Sequence, residues 1–126
     1  MFYTENQKNY RYRYKMLTDV KPSDILYKGI VEKTLHKIYE IFDSQPYKFD
    51  LEHEEGVLSF KIPKIGEYVL NRQPPVQQLW ISSPITGPKK FRLDKNLNFC
   101  GIKDNQTVDT YILTEIDLIK KRLGFF

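Results

Sequence analysis

Cysteine is almost missing from this chain of 126 residues: Cys100 stands alone. One thiol forbids an internal disulfide, and nothing points to an oxidising compartment. Beside Phe99, Cys100 reads as a small packed hydrophobe rather than a nucleophile. Tryptophan is as scarce, with Trp80 its one example. No apolar run approaches the ~20 residues of a membrane-spanning helix, which leaves a membrane out of the expected partners. A phosphate loop, a cysteine cluster and a nucleophile elbow are all lacking, and the two histidines, His36 and His53, stand far apart in the sequence. Ser82 and Ser83 end a strand-like run with no local partner. No conventional active site is in view.

What is present suits one soluble domain. Hydrophobic residues make up 40% of the chain, aromatics 14% and charged residues 29%. A chain of this length buries roughly two thirds of its unfolded surface on folding. The net charge of +4 conceals a division. Residues 40–67 hold seven acids and three lysines, whereas residues 68–103 hold six Lys/Arg and one acid. Such asymmetry bears on partners and steering rather than on fold. Residues 1–21 carry five Lys/Arg and two acids with no clean hydrophobic period. Residues 1–22 are therefore expected to be a flexible basic extension, with a targeting segment as the sharper alternative. The domain proper spans residues 23–126.

Ser23 is a plausible N-cap, with Asp24 favourable in the first turn. Tyr27, Ile30, Val31, Thr34, Leu35, Ile38, Ile41 and Phe42 then recur at helical spacing as one buried stripe. Pro46 marks its end. Short strands follow at Tyr47–Leu51 and Val57–Ile62, then on either side of the Pro74-Pro75 break, then at Lys89–Leu93 and Leu97–Gly101. Small turns separate them, which implies an antiparallel meander. Thr107 caps a second helix carrying Tyr111, Ile112, Glu115, Ile116, Ile119 and Leu123, with Lys120, Lys121 and Arg122 in its last turn and Gly124 as the C-cap. Two amphipathic helices covering one face of a sheet of about six strands give a two-layer α+β sandwich.

The central strands carry the sharpest pattern. Alternation sets Gln78, Trp80 and Ser82 on one face and Leu79 and Ile81 on the other. The apolar pair belongs to the core. That leaves a large aromatic among amides and hydroxyls, the type of residue that anchors a partner. Asn71 and Gln73 share a face in the preceding strand.

Tyr68-Val69-Leu70-Asn71-Arg72-Gln73, Gln78-Leu79-Trp80-Ile81-Ser82-Ser83-Pro84 and Gly87-Pro88-Lys89 together resemble the signature of the frataxin family. The resemblance runs on, less densely, from about Tyr27 to Leu123. It implies the same sandwich, and an accessory protein of iron–sulfur cluster assembly that binds a cysteine desulfurase–scaffold complex and promotes sulfur transfer. The implied docking residues are Asn71, Gln73, Gln78, Leu79, Trp80 and Lys90. Lys90 stands where an arginine is common in the family, keeping the charge without the bidentate fork. The resemblance further implies weak ferrous or ferric iron binding on an acidic ridge. Glu32, His36 and Glu40 follow at i, i+4 spacing on the exposed helix face with Asp43 one turn on, a stripe able to bind a divalent ion weakly. By residue type Glu32, Glu40 and Asp43 match the ridge's helix portion, and Asp50, Glu52, Glu54 and Glu55 lie near its strand portion. Lys33, His36 and Ser44 stand where acids are usual, so the ridge is thinned. A mitochondrial matrix, or an organelle derived from a mitochondrion, is the implied location, and a monomer the expected form.

Two other functions compete. A ferroxidase or iron-storage activity needs close carboxylates around an open site. A nucleic-acid-binding sheet would use Trp80 for stacking with Arg72, Lys89, Lys90 and Arg92 as basic rims. One aromatic is thin support for it, since stacking sheets show two or three.

Overall fold

Ser23 opens the first helix by accepting a hydrogen bond from the Leu26 N–H at 3.1 Å. In this computed structural model, which describes residues 22–125, helix α1 runs Asp24–Asp43 and helix α2 runs Val108–Leu123. Between them lie strands β1 (Asp50–Glu54), β2 (Val57–Ile62), β3 (Gly66–Gln73), β4 (Gln78–Ser83), β5 (Gly87–Leu93) and β6 (Phe99–Gly101). They form one antiparallel sheet whose spatial order is the order of the sequence. The expected α+β sandwich is the observed one, with both helices on one face. The expected extension over residues 1–22 lies outside the described residues, save Pro22.

The stripe of α1 buries Tyr27, Val31, Leu35, Ile38 and Phe42, and α2 buries Val108, Tyr111, Ile112, Ile116 and Ile119. They close on the inward row of the sheet, in which Leu58, Phe60, Ile62, Tyr68, Leu70, Leu79, Ile81, Phe91 and Phe99 are all essentially inaccessible. Phe42 stacks on Phe60 with ring centroids 4.3 Å apart. Each such side chain contributes roughly 1.5–3 kcal/mol relative to exposure. Among the described residues, no helix is long and apolar enough to cross a membrane.

Three boundaries differ from the sequence reading. The first strand begins at Asp50, three residues later than Tyr47. Gly56, at φ 76°, permits a tight turn that pairs Glu54 with Val57, and this register sets which residues can ladder. Tyr47 is buried instead, its ring 6.3 Å from that of Phe125. The last strand is shorter than Leu97–Gly101, because Leu97 sits in a left-handed turn at φ 64°. Asp94 builds that turn by accepting from the N–H groups of Asn96 and Asn98. The fifth strand extends back to Gly87.

Candidate functional site

Strand pairing turns the expected docking residues into one patch. Asn71 lies opposite Trp80 and Trp80 opposite Lys90; Gln73 lies opposite Gln78 and Gln78 opposite Arg92. All stand on the sheet face away from the helices. The indole is half-buried and held in place. Its Nε1 donates to Gln78 Oε1 at 2.7 Å, and the Lys90 ammonium sits 4.3 Å from the ring centroid. Such a cation–π contact contributes about 0.5–1 kcal/mol at an exposed site. Leu79 must be removed from the docking set. It is 0% exposed on the helix side, as alternation requires, and no partner can touch it without unfolding the sheet.

The patch is braced from beneath by residues the sequence reading assigned only to core or turn. Pro74–Val76 form a single 3-10 turn closed by Gln77 at φ 51°. The Tyr27 hydroxyl spans the mouth of this turn, donating to Gln78 O at 2.6 Å and accepting from Gln73 N at 3.1 Å. Burial pushes the Tyr27 phenol pKa up, partly offset by the Gln73 N–H and the Arg72 charge. Gln77 Nε2 donates to Pro22 O and to Asp24 Oδ1 at 3.0 and 2.9 Å, fixing the turn to the start of α1. No local sequence signal marks Tyr27 or Gln77 for this role.

The basic rims expected around Trp80 do not assemble. Arg72 lies opposite Leu79 and Lys89 opposite Ile81, so both belong to the helix side. Arg72 crosses Gly56 to reach Glu55 at 3.3 Å and Glu32 at 3.9 Å. Lys89 donates to Asp104 Oδ2 at 2.6 Å and Gln106 Oε1 at 2.7 Å, above the rings of Phe91 and Tyr111. The Lys89 hydrogen bond, followed by that of the Gln106 N–H, holds the Asp104 carboxyl below its ordinary range. Only Lys90 and Arg92 share a face with Trp80, and a lysine already covers the ring. A stacking platform therefore keeps basic residues on one side only and lacks an open aromatic face.

Nor do the six expected metal ligands converge. Glu32 leans toward His53 at 3.7 Å and Arg72. His36 pairs with Glu40 at 3.3 Å on the open side of α1. Asp43 is exposed one turn on. Asp50 and Glu52 lie on the far face of β1, because their neighbours Leu51 and His53 pair with the inward Phe60 and Leu58. Among the described residues no three His, Cys, Asp or Glu side chains are grouped to hold a metal. The close carboxylates that a ferroxidase needs are not assembled. The histidines, far apart in sequence, face one small cavity of about 180 Å³ with Leu35, Tyr39, Leu51 and Leu58.

Because strand order follows sequence order, the division of charge along the chain is carried onto the outer face. Asp50, Glu52 and Glu54 occupy the β1 edge and Lys90 and Arg92 the opposite side; between them the face is mostly uncharged, apart from Lys61 and Glu67, which lie opposite each other.

A buried cluster accounts for Ser83. Glu115, 1% exposed, accepts from Tyr68 Oη at 2.7 Å, Ser83 Oγ at 2.6 Å and Thr86 Oγ1 at 2.7 Å. Ser83 Oγ in turn accepts from the N–H groups of Ile85 and Thr86. Burial first, then donation to Glu115, pushes the Tyr68 phenol pKa well above its ordinary value.

A family model described as the frataxin-like domain matches residues 21–122. The chain is 39% identical to frataxin of Trachipleistophora hominis over 75 residues, which cover 60% of this chain and 69% of that one. It is 33% identical to mitochondrial frataxin of Caenorhabditis elegans over 96 residues, 71% of each chain. Over 73 residues it is 30% identical to the iron-sulfur cluster assembly protein CyaY of Pseudomonas fluorescens, covering 58% of this chain and 66% of that one. Among solved structures, frataxin from Psychromonas ingrahamii superposes with a TM-score of 0.69 at 16% identity, covering 79% of this chain and 93% of that one, a likeness of fold alone. Trimeric frataxin from Saccharomyces cerevisiae, in a ferrous complex, superposes with a TM-score of 0.59 at 26% identity, covering 90% of this chain and 97% of the other.

Proposed function

This chain belongs to the frataxin family, and from that premise we propose that it is an accessory protein of iron–sulfur cluster assembly. It binds a complex of cysteine desulfurase and scaffold protein and promotes sulfur transfer to the scaffold. The acting form is a monomer, in the mitochondrion or an organelle derived from one; the nematode relative is named mitochondrial. The observation that carries this reading is the cross-strand row Asn71, Trp80 and Lys90, flanked by Gln73 and Gln78. It presents one anchored aromatic within a ring of amides and one cation, on a sheet face that neither helix covers.

Ferrous iron enters this reading as cargo. Glu32, His36, Glu40, Asp43, Asp50 and Glu52 are hard or borderline donors that suit such an ion. Spread over a helix and the far side of a strand, they hold it through few protein ligands and several waters. Weak, exchangeable binding fits delivery or sensing better than storage.

The test is binding of the full chain to a purified desulfurase–scaffold complex. Trp80→Ala is expected to weaken it by about 2 kcal/mol, roughly thirtyfold, while its melting curve stays close to wild type. Unchanged affinity would overturn the docking reading.

A further inference from the structure

Beside the Trp80 row, β5 and the chain leaving β6 enclose an open groove of about 480 Å³, lined by Pro88, Lys89, Lys90, Ile102, Lys103 and Asp104. The Ile102 N–H donates to Lys90 O at 3.1 Å, so the two walls are fastened to each other. Asp104 is the one acid of the groove, and Lys89 neutralises it at 2.6 Å. Lys90 and Lys103 remain, both exposed, and neither has a carboxylate partner among the described residues. Arg92, at the same end of the sheet, bonds only the neutral Asn105 amide at 3.1 Å. Between these charges lie Pro88, exposed, and Ile102, an isoleucine 40% exposed.

We infer that this groove receives an extended acidic segment of the protein partner, carrying an apolar side chain between its carboxylates. This rests on the docking reading and gives it direction. The carboxylates meet Lys90 and Lys103, and the apolar side chain covers Ile102 against Pro88. Two cations astride an apolar floor match that alternation and no small anion, which would leave the floor bare. A nucleic acid would offer the same negative charge, but no aromatic side chain lines the groove, and the Trp80 ring on the neighbouring strand is covered by Lys90. The division of charge across the sheet enforces one orientation, since an acidic segment laid toward β1 would meet Asp50, Glu52 and Glu54. Like charges set against each other in this way suppress wrong docking modes.

Lys103→Glu, Ile102→Ser and Trp80→Ala in the full chain test this against the desulfurase–scaffold complex, at about 50 and 200 mM salt. Ile102 and Lys103 are surface residues, and melting curves verify that both variants fold. Each is expected to weaken binding about tenfold. The loss from Lys103→Glu should shrink at the higher salt, whereas the loss from Ile102→Ser should persist. If both groove variants bind as wild type while Trp80→Ala fails, the groove assignment falls and the docking reading stands. If the groove variants fail and Trp80→Ala does not, the groove stands and the Trp80 row does not carry docking. If all three bind as wild type, both fall. Uptake of a single-stranded RNA oligomer by the wild type, lost in Lys103→Glu with protein binding intact, would make the groove a nucleic-acid site and overturn the inference.

Discussion

The phenol of Tyr68, on β3, donates a 2.7 Å hydrogen bond to the carboxylate of Glu115, on α2, in the interior of the sandwich. Among the described residues no lysine or arginine joins them. The carboxylate is satisfied by hydroxyls alone, one each from Tyr68, Ser83 and Thr86, and so ties α2 to two strands and to the turn between β4 and β5. Among the described residues the buried Tyr111 hydroxyl has no hydrogen-bond partner, and its pKa is raised to about 12 by burial first and then by the Glu115 charge.

Removing one donor should therefore cost less than removing the shared acceptor. Tyr68→Phe is expected to lower stability by about 1.5–3 kcal/mol, as for one hydrogen bond to a charged group. Glu115→Ala should cost more, about 3 kcal/mol or above, because three hydroxyls lose their acceptor and a cavity opens. Urea midpoints of the two variants give the ranking. An equal or reversed order would show that the carboxylate is not the hub.

Alkali should loosen the fold through its tyrosines. Burial raises Tyr47 and Tyr111 from 10.0 to about 12 and Tyr68 further still. A folded-state pKa above the unfolded one means the protonated phenol is favoured by folding. That contribution is complete below the unfolded pKa of 10.0 and is lost as pH climbs toward about 12. The denaturant midpoint is expected to fall steeply over that window, and less so in Tyr111→Phe. A midpoint that holds level through it would contradict the burial of these phenols.

Gly56 and Arg72 should behave as a coupled pair. At φ 76° a side chain is strained, and a Cβ there would overlap the Arg72 guanidinium stem. Gly56→Ala is expected to cost about 1–2 kcal/mol from backbone strain, plus displacement of Arg72 from Glu55 and Glu32. In an Arg72→Ala background only the strain should remain. A double-mutant cycle by chemical denaturation measures the difference; strict additivity would mean that Arg72 does not rest on Gly56.

Iron binding should respond to charge on α1. Lys33→Glu is expected to tighten ferrous iron, and Glu32→Lys with Glu40→Lys to abolish it, from a starting affinity of roughly micromolar or weaker. Lys37 is unsuited to this test. Its ammonium holds Asp109 at 3.0 Å, so an acid there would set two carboxylates against each other between the helices. Anaerobic calorimetry reads the outcome, and equal heats from the two variants would move the metal off α1.

Caps, helix stripes and strand faces were legible because each depends on residues close in sequence. Ser23 and Thr107 announce their helices, and alternation alone separates Leu79 from Trp80. Alternation carried through neighbouring strands likewise sets Arg72 and Lys89 away from the Trp80 face, a relation that a count of cations in the sequence does not contain. The start of β1 is not legible locally, because Tyr47, Lys48 and Phe49 suit a strand as well as Asp50 does, while pairing with β2 begins only at Asp50 opposite Lys61. The partnership of Ser83 with Glu115 joins positions 32 residues apart, and nothing local to either reveals it. The same holds for Tyr27 with Gln73 and Gln78.

That Tyr27 bridge bears on the thermodynamics of association. A sheet face interrupted by two prolines and a left-handed glutamine would ordinarily sample many shapes, and a partner would have to freeze one of them. Here a phenol from the core and an amide from the turn have already done so, through four hydrogen bonds that tie the turn to α1 and to Pro22 ahead of it. Docking then sacrifices little conformational entropy in this region, roughly 1–2 kcal/mol saved for each backbone residue that is already ordered. Loosening the bridge, as in Tyr27→Phe, should weaken the complex from a helix position 51 residues before Gln78 while leaving every docking side chain in place, and should appear as a faster dissociation rate.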